Sequence, residues 1–294
     1  MKTLTLNNGV TLPAMGFGVF QSSPEETVDA VKAALDTGYR LIDTAAAYGN
    51  EAEVGEAMRQ SGVSRDDIVL QTKMWISDYG FDSGLHAFDR SARKLGFDTV
   101  DVYLLHQPMP SDFNATIQAY KAAERLLADG RVRAIGVSNF SEDHLNRLMA
   151  ETDVVPAINQ VEVHPFFTNA ALRKTHDRLG ILTQAWSPIG GVQRYWGDDK
   201  KPEDDPLTHP VITALAEKYA KTPAQIMLHW QLQLGHSVIP KSVTPKRIAE
   251  NFDVEGFELT DDEIAQIEAL DTGTRGGPDP EAIDRETYTF KVED

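Results

Sequence analysis

A chain of 294 residues, 41% of them hydrophobic, has material for one large core, and closed α/β barrels reach this size as single domains. Its net charge of −17 argues against nucleic acid or an anionic membrane as partner, since phosphate neutralisation needs clustered Lys and Arg. It has no cysteine, no apolar run of roughly 18 residues and no apolar signal core at its start, so the expected protein is cytoplasmic and free of disulfides.

In chain order, Leu4-Thr5-Leu6 and Val10-Thr11-Leu12 flank Asn8-Gly9, a strong hairpin signal. Strand and helix patterns then alternate. Apolar strands are predicted at 15–19, 40–43, 68–73, 100–106, 132–138, 157–161, 182–187 and 237–241. Ser23-Pro24-Glu25-Glu26 reads as a capping box, with Val28, Val31 and Leu35 on one helix face and Gly38 as the stop. A helix is predicted over 119–128, ending at Gly130. Others start at Thr222-Pro223-Ala224-Gln225, at Thr244-Pro245 and at Thr260-Asp261-Asp262-Glu263, the last lying outside the repeat.

Eight strands alternating with helices predict an α/β fold, a (β/α)8 TIM barrel with an N-terminal β-hairpin and an extra C-terminal helix. Residues 1–294 are read as one domain. The alternative is an open doubly wound sheet, which wants a Gly-x-Gly-x-x-Gly turn; Gly16-Phe17-Gly18 lacks the third glycine. The stretch 190–206 is too long for an ordinary connection and reads as an insert over the barrel mouth. The Gly- and Pro-rich tail after Asp271 reads as a cover.

Asp43, Lys73 and His106 end three consecutive apolar runs, and Tyr48 follows the first. In a parallel barrel those strand ends open on one face, where active sites lie. Singly each has an ordinary reading: a turn cap, a snorkelling lysine, a core histidine, a loop tyrosine. Together a carboxylate, an ammonium, an imidazole and a phenol can protonate a carbonyl oxygen. Neither His164 near Glu162 nor His176 near Asp177 offers a metal-ligand spacing, and no metal is expected.

Four motifs carry a resemblance along nearly the whole chain. Gly38-Tyr39-Arg40-Leu41-Ile42-Asp43-Thr44-Ala45 with Tyr48-Gly49-Asn50-Glu51 is the first. Leu105-His106-Gln107-Pro108, Gly136-Val137-Ser138-Asn139-Phe140 and Ile239-Pro240-Lys241-Ser242 are the others. They resemble the signatures of the aldo-keto reductase family. The resemblance implies an NADPH-dependent reductase of small carbonyl compounds, with Asp43, Tyr48, Lys73 and His106 as its catalytic tetrad. Histidine at 106, where a glutamate would suggest double-bond reduction, points to carbonyls. A free tyrosine has a pKa of about 10, and a lysine about 4 Å away could lower it by up to about 3 units at an effective dielectric of about 20.

The resemblance further implies that Ser138, Asn139 and Gln160 hold the nicotinamide carboxamide of NADPH or NADP+, while Trp186 stacks on its ring. The family more often has tyrosine at that last position. Ser187 and the amides up to Gly191 would line the pyrophosphate. Lys241, Ser242, Lys246 and Arg247 would take the 2′-phosphate at a helix start, with Glu250 and Asn251 on the adenine. Phe20, Trp75 and His106 would frame the substrate, with Trp196 as a lid. The expected partner is a small-molecule carbonyl substrate, met by a monomer. The alternative function is a cofactor-sensing barrel with negligible turnover.

Overall fold

The computed structural model describes residues 2–190 and 205–293. Strands β1 (Thr3–Thr5) and β2 (Thr11–Pro13) form the expected hairpin, with Leu4 opposite Leu12. Gly9, at φ 85°, turns the chain where a side chain would be strained. Leu6 and Leu12 join a buried apolar cluster with Leu41, Val102, Leu104 and Ile158. Asn7 and Asn8 donate to the carbonyls of Pro156, just before one barrel strand, and of Arg133, at the start of another. The hairpin therefore plugs the barrel at the N-terminal ends of its strands.

Eight parallel strands form the barrel: β3 (Phe17–Gly18), β4 (Leu41–Asp43), β5 (Val69–Met74), β6 (Val100–Leu105), β7 (Val132–Ser138), β8 (Ile158–Glu162), β9 (Leu182–Trp186) and β10 (Ser237–Ile239). Each pairs with its neighbours in sequence, and bridges from Met15 to Val238 and from Gly18 to Lys241 close the ring. All eight predicted strands are present, most trimmed by a residue or two at their ends.

The surrounding helices are α1 (Pro24–Thr37), α2 (Glu51–Gln60), α3 (Phe81–Leu95), α4 (Phe113–Ala128), α5 (Glu142–Met149), α6 (Ala170–Leu179), α7 (Pro210–Tyr219), α8 (Pro223–Gln233), α9 (Pro245–Phe252) and α10 (Asp261–Glu268). The capping boxes at Ser23, Thr222 and Thr260 are formed as the sequence suggests. Helix α4 begins at Phe113 rather than 119, because Asp112 caps the Ala115 amide and carries the helix through the weak formers Asn114 and Thr116. Among the described residues between β9 and β10 lie two helices, α7 and α8, one more than the repeat requires. Residues 220–222 separate them, with Ala220 left-handed at φ 51°. The extra C-terminal helix is α10. Among the described residues no helix is long and apolar enough to cross a membrane.

Side chains alternate along a strand, so every second residue points into the barrel. The inward rows include Leu41 and Asp43, Gln71 and Lys73, Ile158 and Gln160, and Gln184 and Trp186. Low in the barrel these positions are apolar. Above them lies a polar layer. Gln71 Nε2 reaches Asp43 Oδ1 at 2.6 Å and Gln184 Oε1 at 2.7 Å, and Gln160 Nε2 reaches the same two atoms at 3.0 and 2.8 Å. Gln184 Nε2 then donates to Ser237 Oγ at 3.2 Å. Such a connected network fixes its members firmly, because any partner lost would leave a buried polar group unsatisfied. This is the floor on which the site stands.

Candidate active site

Asp43 ends β4, Lys73 lies on β5, His106 follows β6 directly, and Tyr48 sits on a single 3-10 turn after β4. Lys73 is fully buried, and its Nζ lies 2.8 Å from each Asp43 oxygen, 2.9 Å from the Thr44 carbonyl and 3.3 Å from the Tyr48 hydroxyl. Three oxygen acceptors within 2.9 Å suit a charged ammonium better than a neutral amine. Burial draws the Lys73 pKa below its ordinary value, and the Asp43 carboxylate works against that pull. The His106 pKa is held well below the usual histidine range, first by burial and then by the Lys73 charge. The imidazole is therefore neutral at physiological pH. Its ring packs edge-on to Tyr48 at 5.5 Å and to Trp75 at 5.2 Å.

The four residues meet at one end of a cavity of about 700 Å³ on the C-terminal face of the barrel. Phe20, Trp75, Trp186, Tyr288 and Phe290 give that end apolar walls. Ser138, Asn139 and Gln160 lie on its floor, joined to one another. Ser138 Oγ donates to the Gln160 carbonyl at 2.8 Å, and Asn139 Nδ2 donates to Ser138 Oγ and to the His106 carbonyl, both at 3.1 Å. Asn139 holds a left-handed conformation, φ 65°, and its Oδ1 accepts from Trp186 Nε1 at 2.9 Å.

The cavity extends towards α9 and takes in Lys241, Ser242, Arg247, Glu250 and Asn251. The Thr244 side chain does not cap α9; Pro245 has no amide, so the first uncapped ones are those of Lys246 and Arg247, and Arg247 lines the cavity. Lys241 donates to the Gln21 carbonyl at 3.3 Å; burial lowers its pKa, and Glu26 opposes the change. Lys246 is exposed and does not line the cavity, unlike the other members of its cluster. Of the backbone amides expected on a pyrophosphate, that of Gly190 already donates to the Ser187 carbonyl, and Pro188 has none. Gly191, Trp196 and most of the expected insert lie outside the described residues. Among those described, no cluster of His, Asp or Glu is arranged to hold a metal ion.

The tail, read from the sequence as a cover, reaches the cavity through residues that the sequence did not single out. Phe290 accepts a hydrogen bond from Trp75 Nε1 at its carbonyl, 3.1 Å away, and Tyr288 packs on the same indole at 6.3 Å. Arg285 fastens this stretch to the carbonyls of Ile76 and Tyr79. The tail has no periodic pattern that could announce such contacts. Gln71, Gln184 and Glu162 did carry a signal, since each lies two residues from an inward site residue.

An acid–base group on the C-terminal face of a closed (β/α)8 barrel, beside an apolar-walled cleft, defines a barrel enzyme. The particular family follows from comparison. The chain belongs to the aldo/keto reductase family, whose model matches residues 13–272. It is 52% identical to the morphine 6-dehydrogenase of Pseudomonas putida over 286 residues, 97% of this chain and 96% of that protein. The crystal structure of an aldo/keto reductase from Brucella melitensis superposes with a TM-score of 0.85 at 46% identity, covering 92% of this chain and 99% of that one. A point mutant of Gox0644 in complex with NADPH gives a TM-score of 0.88 at 41% identity, covering 96% and 98%. Membership carries oxidoreductase chemistry on carbonyls with a nicotinamide cofactor.

Proposed function

We propose that the protein reduces aldehydes or ketones to alcohols with NADPH, using Tyr48 as the general acid. The observation that carries this reading is the Lys73 ammonium, paired with Asp43 and 3.3 Å from the Tyr48 hydroxyl in an apolar-walled cavity.

The cofactor reading is supported by fit. The open amides of α9, with Lys241 and Arg247 beside them, suit an anionic 2′-phosphate. At the other end of the cavity the Trp186 face suits a flat ring, with Ser138, Asn139 and Gln160 near enough for a carboxamide. When bound, reduced nicotinamide supplies a hydride to the carbonyl carbon. Tyr48 gives its proton to the oxygen that becomes negative, and the nearby Lys73 cation stabilises the charge left on the phenol. Asp43 holds Lys73 in place and in its charged form. Neutral His106 donates to the same substrate oxygen and orients it. Its Nδ1 is buried with no partner among the described residues, so the proton belongs on the other ring nitrogen. Phe20 and Trp75 exclude water and shape the cleft for a small carbonyl compound.

The test is a steady-state assay in which NADPH is offered with a panel of aromatic aldehydes, dicarbonyls, aldoses and keto acids. Carbonyl-dependent consumption of NADPH supports the reading. Tight NADPH binding without turnover on any class would favour a sensing role instead.

A further inference from the structure

Glu162 is the last residue of β8 and the registered neighbour of Trp186 on β9. Its carboxylate is fully buried, and no step described above uses it. One oxygen lies 2.9 Å from His164 Nε2 and accepts from the Gly276 amide at 2.8 Å. The other accepts from the Gly277 amide at 3.0 Å. Both glycines belong to the C-terminal tail, at least 114 residues further along the chain. Gly277 lies against Trp186, and a Cβ placed there would overlap Cη2 of the indole. The other edge of that ring is fixed by its Nε1 hydrogen bond to Asn139. Trp186 is thus held at its pyrrole edge by the barrel and at its benzo edge by a tail segment that Glu162 ties down.

We propose that Glu162 is a positioning residue that latches Gly276 and Gly277, and so holds Trp186 at the angle at which nicotinamide stacks. The proposal rests on the placement of nicotinamide against Trp186 made above. A buried carboxylate that loses its donors is strongly destabilised, and the half-buried Gly276 and Gly277 amides lose their acceptor with it. The latch therefore favours a single tail position. Glycine is required at 277 because any side chain would push either the indole or the tail away.

Two readouts test the proposal. In the cofactor-free protein, amide hydrogen exchange at Gly276 and Gly277 should be slow in the parent and fast in Glu162→Ala. Calorimetric titration should compare NADPH with 2′-phospho-ADP-ribose, the same molecule without its nicotinamide. Glu162→Ala should weaken NADPH by about tenfold and leave the nicotinamide-free ligand within about twofold. Gly277→Ala, which keeps the carboxylate, should give the same selective loss and guards against a Glu162 variant that fails to fold. Equal losses for both ligands, or unchanged NADPH affinity in both variants, would overturn the latch. A parent that binds both ligands equally would overturn the nicotinamide placement, and the proposal with it.

Discussion

The Lys73 ammonium lies 3.3 Å from the Tyr48 hydroxyl and is itself fully buried beneath the cavity floor. Barrel geometry makes this possible. Asp43 and Lys73 point inward from adjacent strands, and the turn after β4 folds Tyr48 back over them. A cation so placed stabilises the charge that forms on the phenol oxygen as its proton leaves.

Lys73→Met should lower kcat for carbonyl reduction by about 10²–10⁴-fold. It should also destabilise the fold by roughly 3–5 kcal/mol, because the Asp43 carboxylate is left buried without its cation. Adding Asp43→Asn removes that stranded charge, so the double variant should regain stability without regaining turnover. Denaturant unfolding and a kinetic assay on both variants check this. Turnover that returned along with stability would show that Lys73 serves only the fold.

Arg247→Ala should weaken NADPH by about ten- to a hundredfold and leave NADH almost unchanged, since charge-assisted hydrogen bonds contribute roughly 1.5–3 kcal/mol. Arg247 is exposed at the cavity edge, and no ion pair joins it to any other described residue. The protein's own charge of −17 opposes both cofactors, so the preference must arise from local cations. Added salt should erode it. Titration with each cofactor at two salt concentrations measures the effect; equal losses for NADPH and NADH would misplace the phosphate site.

Acid should weaken the fold through two buried histidines away from the tetrad. His176 sits between Asn159 and Thr183, and burial lowers its pKa to about 4. Burial, helped by Arg173 and His176, lowers that of His236 to about 3. In the unfolded chain both titrate at about 6.5, so as pH falls below that value the unfolded state takes up protons that the folded state refuses. This stability is present in full above pH 6.5 and is lost progressively as pH falls towards the folded values. Each histidine should account for roughly 2 kcal/mol between pH 7 and 5. Denaturant midpoints at the two pH values report it, and His176→Gln should flatten the dependence. A flat profile in the parent would show that these rings take up protons when folded.

Much of this was legible in the sequence, for physical reasons that differ from element to element. The barrel followed from eight short apolar runs between well-capped helices, because capping boxes such as Ser23–Glu26 are local and need no tertiary context. Asp43, Tyr48, Lys73 and His106 were read together because strand ends in a parallel barrel share one face, and the cofactor and substrate residues came from the resemblance; those among the described residues line the cavity except Lys73, buried below it, and Gly190 and Lys246, outside it. Helix α8 was read from its Thr222 start, but α7 was not foreseen, since the left-handed residue that ends it, Ala220, is an alanine and gives no turn signal. Tyr288 and Phe290 were missed because they act from an irregular tail, where only tertiary contacts such as that of Trp75 with Phe290 set position. Glu162 was seen only as a poor metal ligand. The two tail amides that it binds lie far along the chain, beyond the reach of any local pattern.

The role of Tyr48 is tested most directly by Tyr48→Phe, which removes one oxygen atom and little else. Both kcat for a carbonyl substrate and the Kd for NADPH should be measured on the same preparation. Loss of the acid should lower kcat by at least about 10²-fold. NADPH affinity should stay within a few-fold, because the proposed cofactor site lies on other strands and on α9. Turnover close to that of the parent, with NADPH bound normally, would contradict the assignment of Tyr48 as the proton donor.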